Sequence, residues 1–114
     1  MPGEGTLASG GTVTMFASDG LTVWAELNAA GDLVIQGQDL SGHPFAREYE
    51  YALTVPAAHV GVVAQALGGR APTDVLELLK ANGERIVKMG ERTWLQSLGV
   101  EVRTWNRIEP FDMD

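Results

Sequence analysis

The chain contains no cysteine, which removes disulfides, thiolate metal sites, iron–sulfur clusters and cysteine nucleophiles together. Histidine is nearly as scarce. His43 and His59 are the only two, and they form neither an H-x-x-x-H nor an H-E-x-x-H pair. The segment "DLVIQGQDLSG" lacks the acidic spacing of a calcium loop. No metal or cofactor is therefore expected. Ser9, Ser18, Ser41 and Ser97 sit outside any G-x-S-x-G elbow, and "ALGGRAPTD" matches no phosphate-binding glycine pattern. No catalytic residue is assigned. No apolar run approaches the ~20 residues of a membrane span. The first residues show no basic stretch leading into an apolar one. A cytoplasmic protein is the expectation, which the lack of cysteine suits.

Positive charge is also in short supply. Eight Lys and Arg stand against fifteen Asp and Glu, for a net charge of −7. Arg47 is the single base before residue 56, where seven acids gather, whereas acids and bases alternate over residues 56–108. Such a balance repels nucleic acid and anionic membranes. A partner, if there is one, is expected to be a basic protein or a second copy of the chain.

What the sequence does have is strict alternation. "TVTMFA" and "LTVWAELN" flank "SDG", and a three-residue loop over Ser18–Gly20 would pair Met15 with Val23 and Val13 with Ala25. That register puts Val13, Met15 and Ala17 on one face and leaves Phe16 on the other. A second three-residue loop, Ala29–Gly31, pairs Leu27 with Leu33 and Ala25 with Ile35. "DLVIQGQ" thus reads as a third strand bounded by turn-favouring acids rather than as a metal loop. Gly37 lies in mid-strand, where it marks a bulge or a close neighbour. "EYEYALTV" is a fourth strand with Tyr49, Tyr51, Leu53 and Val55 inward. If Ile35 pairs with Tyr51, Tyr49 covers Gly37.

Helical signals follow. Pro56 opens a helix carrying Val60, Val63, Ala64 and Leu67. Thr73 or Asp74 caps a second helix that buries Val75, Leu76 and Leu79. "ERIVKM" fits either a strand or a continued helix. "GERTWLQSLG" is a short helix with Trp94, Leu95 and Leu98 inward and Gly99 after it. "VEVRTWNRI" alternates as a last strand. The fold class expected is α+β, in two layers. An antiparallel β-meander of four strands is followed by two or three helices on one face and a returning C-terminal strand. The domain should span residues 12–108, between a flexible tail (1–11) and an acidic one (109–114).

The alternation also sorts the wet face. Thr14, Phe16, Thr22, Trp24, Glu26, Val34, Gln36, Gln38, Glu48, Glu50, Arg103, Trp105 and Arg107 should point away from the core. Aromatic and arginine side chains in a polar rim mark binding hot spots. Trp24, Glu26, Gln36, Glu48, Glu50, Arg103 and Trp105 are accordingly the expected partner-binding residues of a non-enzymatic protein-interaction domain. The alternative is a small-molecule or enzymatic pocket between helices and sheet, near His43 and His59.

The strand "GDLVIQGQDL", the tyrosine-rich "EYEYALTVP", the helix "DVLELL" and the closing "VRTWNRI" together resemble a family of small, acidic, uncharacterised actinobacterial proteins. The resemblance covers roughly residues 20–108 and implies no enzymatic activity. Small α+β proteins of this kind are often similar to immunity proteins of toxin systems, which would make the basic partner a toxin.

Overall fold

The computed structural model describes residues 11–40 and 46–110. The expected N-terminal tail, apart from Gly11, and His43 lie outside them. Five strands, β1 (Thr12–Ser18), β2 (Leu21–Leu27), β3 (Leu33–Asp39), β4 (Ala46–Val55) and β5 (Arg103–Pro110), form one antiparallel sheet in sequential order. Between β4 and β5 come α1 (Ala57–Ala66), a 3-10 turn (Pro72–Asp74), α2 (Val75–Ala81), α3 (Gly83–Met89) and α4 (Glu91–Ser97). The α+β meander is as expected, and "ERIVKM" belongs to a helix of its own. β5 runs to Pro110, two residues into the segment expected to be an acidic tail.

The first hairpin corrects the expected register. Asp19 and Gly20 both have positive φ (53° and 86°), as a two-residue type I′ turn requires. Ser18 therefore pairs with Leu21 and Phe16 with Val23. Continued unchanged, this register would put Val13 opposite the wrong face of β2. A bulge at Met15 absorbs one residue, so that Thr14 meets Trp24 and Val13 meets Ala25. Phe16 consequently packs against the core instead of facing outward, and Ala17 is exposed. The bulge is held from the helical side. A Cβ on Gly83, the first residue of α3, would lie 1.9 Å from the Met15 carbonyl oxygen, so only glycine permits this approach.

The second hairpin follows its expected register, with Leu27 opposite Leu33 and Ala25 opposite Ile35. Asn28 Oδ1 accepts the Ala30 and Asp32 N–H groups at 2.9 and 3.0 Å, pinning the loop. Asp32 does more than flank the turn. Its Oδ1 accepts the Ala57 N–H at 2.8 Å, satisfying one of the unpaired donors at the start of α1. Asp74, beside α2, takes the Arg70 and Ala71 N–H groups at 3.0 and 3.1 Å.

β3 and β4 are shifted by two residues from expectation. Ile35 pairs with Leu53, and Gly37 with Tyr51. The aromatic lid over the strand glycine is present, but Tyr51 supplies it. A Cβ on Gly37 would fall 2.2 Å from the tyrosine ring.

One face of the sheet carries the core. Val23, Leu33, Ile35 and Val55 meet Val63, Val75, Leu79, Ile86 and Leu95 from the helices, all fully buried. Each such side chain contributes roughly 1.5–3 kcal/mol on leaving water. No described helix is long and apolar enough to cross a membrane.

Candidate binding face

With the helices assigned to one side, register fixes what stands on the other. Successive strands contribute one residue each to transverse rows. The central row runs Thr14, Trp24, Gln36, Ala52, Trp105. A second runs Thr12, Glu26, Val34, Thr54, Arg103, and a third contains Thr22, Gln38, Glu50 and Arg107. All seven expected partner-binding residues therefore share one face. Trp24 and Trp105 lie three strand spacings apart, about 14 Å at ~4.8 Å each. Gln36 and Ala52 are short enough to leave a floor between the rings. Trp24, Glu26 and Gln36 are half-buried by their neighbours, whereas Arg103 is exposed and Trp105 is 53% exposed.

One end of this floor is a carboxylate pair. Glu48 and Glu50 are two apart on β4 and so lie on the same side of the strand. Gln38 Nε2 donates to both, at 3.0 Å to Glu48 and 3.3 Å to Glu50. Arg107 reaches Glu50 at 3.5 Å. The hydrogen bond with Glu48, some desolvation and the Glu48 charge hold Glu50 above the usual carboxylate range, with Arg107 and Gln38 pulling the other way. The pair is thus a crowded anionic corner.

A different feature lies on the helical side, where β5 overhangs. A cleft of about 280 Å³ is lined by Tyr49, Tyr51, Glu91, Arg92, Thr93, Thr104 and Asn106, among others. At its back the Tyr51 hydroxyl donates to Glu91 Oε2, and only 8% of Glu91 is exposed. Burial, with the Glu91 hydrogen bond and charge behind it, pushes the Tyr51 phenol well above its ordinary value. Sequence reasoning placed Tyr51 inward but passed over Glu91. A glutamate in the first turn of a short helix reads as a solvated partner of the helix dipole, and no periodicity marks one that turns towards the sheet.

His59 is engaged structurally, since its Nδ1 accepts the Glu101 N–H at 3.2 Å, tying α1 to the segment before β5. Among the described residues no group of three His, Asp or Glu side chains could hold a metal ion. No family model, curated protein or solved structure matches the chain.

Proposed function

We propose that the chain is a non-enzymatic, cytoplasmic protein-interaction domain whose open sheet face takes a basic segment of a partner protein. One observation carries this reading. Two tryptophans stand in a single transverse row across a face that no described element covers, and the floor between them leads to the Glu48–Glu50 corner. Aromatic side chains set among polar and charged ones are the usual make-up of a protein-binding surface. The partner's Lys or Arg would relieve the repulsion between the two carboxylates, while Trp24 and Trp105 supply the apolar contact. Glu26, Gln36 and Arg103 border the same floor and would set orientation. An immunity-like role, neutralising a basic toxin, is one form that such recognition takes.

The test is a titration of the isotopically labelled chain with a lysine-rich peptide, an acidic peptide serving as control. The basic peptide should shift amide resonances on the outer rows, and salt should weaken it. Trp24→Ala should lower the affinity by more than ~1 kcal/mol, about fivefold, with the fold intact. Unfolding of Trp24→Ala would show that the ring is part of the core. Shifts confined to the helical side would place binding elsewhere.

The second reading, a small-molecule pocket, is favoured by the Tyr51–Glu91 cleft rather than by His59. Fragment binding that moves Thr104 and Asn106 resonances would support it.

A further inference from the structure

We propose that β5 pairs with β5 of a second copy of the chain, antiparallel about Asn106, joining two sheets into one of ten strands. This rests on the sheet's edges, although Arg103 and Trp105 belong both to that edge and to the proposed binding face. The two edges are treated differently. β1 carries the bulge at Met15, and α2 and α3 pack against it. Bulges and covering elements are the usual means of preventing edge-to-edge pairing. The β4–β5 ladder shifts register only near its end, between Ala46 and Glu48, and over residues 103–107 β5 has no bulge and no described element packed on its free side. Arg103, Thr104, Trp105, Asn106 and Arg107 are exposed in unbroken succession, and β4 is the only described neighbour. A strand of this length with a described neighbour on one side only is a template for another strand.

Register decides what that strand can be. Residues opposite each other in an antiparallel pair share a face, so a twofold pairing of β5 must centre on a residue. Centring on Trp105 sets Arg103 against Arg107 of the other copy, and centring on Arg107 sets two Arg107 together. Like charges directly opposed destabilise a pair. Centring on Thr104 leaves three paired residues, and centring on position 108 leaves five and sets Pro110, which has no N–H to donate, against Asn106. Centring on Asn106 overlaps residues 103–109 and produces the opposite result. Trp105 meets Arg107 twice, within reach of a cation–π contact. Arg103 falls opposite position 109 rather than opposite another arginine. The two Asn106 amides meet on the axis, each with a donor and an acceptor to exchange. The long-range field agrees. Two chains of net charge −7 repel, and the strand bearing Arg103 and Arg107 is where that repulsion is least.

The lack of cysteine makes the test direct. Asn106→Cys and Thr104→Cys are prepared singly, each is checked by circular dichroism, and each is held in a glutathione redox buffer. Asn106→Cys should cross-link to a dimer, because opposed Cα atoms in a ladder fall within disulfide range. Thr104→Cys, which would meet position 108, should not. In parallel, sedimentation of the native chain over a concentration series should show a monomer–dimer equilibrium. Asn106→Lys and Asn106→Asp should each weaken it at least tenfold, and their mixture should restore a heterodimer. A native chain that stays monomeric at every concentration overturns the proposal. So does equal cross-linking at 104 and 106, or native-strength dimerisation of Asn106→Lys.

Discussion

Tyr51 joins the two layers through a single hydroxyl, and Tyr51→Phe removes that hydroxyl and little else. The ring stays over Gly37, so no cavity opens and the apolar burial is unchanged. What is lost is the hydrogen bond to Glu91. A hydrogen bond to a charged acceptor contributes about 1.5–3 kcal/mol. With 8% of Glu91 exposed, water can replace the phenol only poorly, so the upper half of that range applies. For a domain of this size the loss is a fall of about 8–12 °C in Tm, readable by circular dichroism and by urea unfolding at constant m. The Glu91→Gln background separates charge from shape. A neutral amide acceptor makes the same bond worth about 0.5–1.5 kcal/mol, so Tyr51→Phe should cost at least ~1 kcal/mol less there. The pH dependence has a fixed sign. A phenol raised in the folded chain contributes stability that is complete below its ordinary value of ~10. That stability is lost as pH rises further, because only the unfolded chain then releases the proton. Tyr51→Phe should lack this alkaline decline. A loss below ~0.5 kcal/mol, or equal losses in both backgrounds, would refute the reasoning.

Gly83→Ala should destabilise by about 1–3 kcal/mol, since the atom its methyl meets is the Met15 carbonyl, which can move only with the bulge or the helix; a more stable variant, as helix propensity favours, would count against the contact. Asp32→Ala removes the acceptor for the Ala57 N–H and should cost about 1 kcal/mol in urea unfolding. Glu48→Gln should bring Glu50's titration back towards the usual carboxylate range, followed by carboxyl NMR. In the native chain Glu50's raised value supports the fold at acid pH and that support fades as pH rises through it, so Glu48→Gln should flatten this fade.

The strands, their sidedness and the row of outward residues were legible because period-two alternation is a direct image of burial in a sheet open on one side. Loop chemistry was legible where one glycine settles it, as in the Leu27–Leu33 hairpin. At Ser18–Leu21 two registers competed, and pattern matching chose the one that kept Met15 opposite Val23. The chain uses the other at the turn and changes register through a bulge, a device that leaves no mark in the sequence except an apparent break in alternation at Met15–Phe16. The β3–β4 offset was out of reach for a similar reason. Both pairings keep the faces intact, so alternation alone does not choose between them. Helix α3 was ambiguous because Ile86 and Val87 fit either period in so short a run. Glu91 shows the remaining limit, since its partner is forty residues away in sequence and no local pattern encodes it.

The order in which the sheet is threaded has a kinetic consequence. Contacts among β1 to β4 are made by hairpins, whereas β5 reaches β4 only after the chain has travelled through every helix, from residue 56 to residue 102. Closing that loop costs about 2 kcal/mol more than closing a five-residue turn. No helix contributes a fully buried contact to β5 in return, and its described residues remain exposed. The C-terminal strand should be the last element to join and the first to leave, exchanging its amide hydrogens through a local opening well below the global unfolding free energy. The strand most available to another molecule is thereby also the one the domain can release without unfolding.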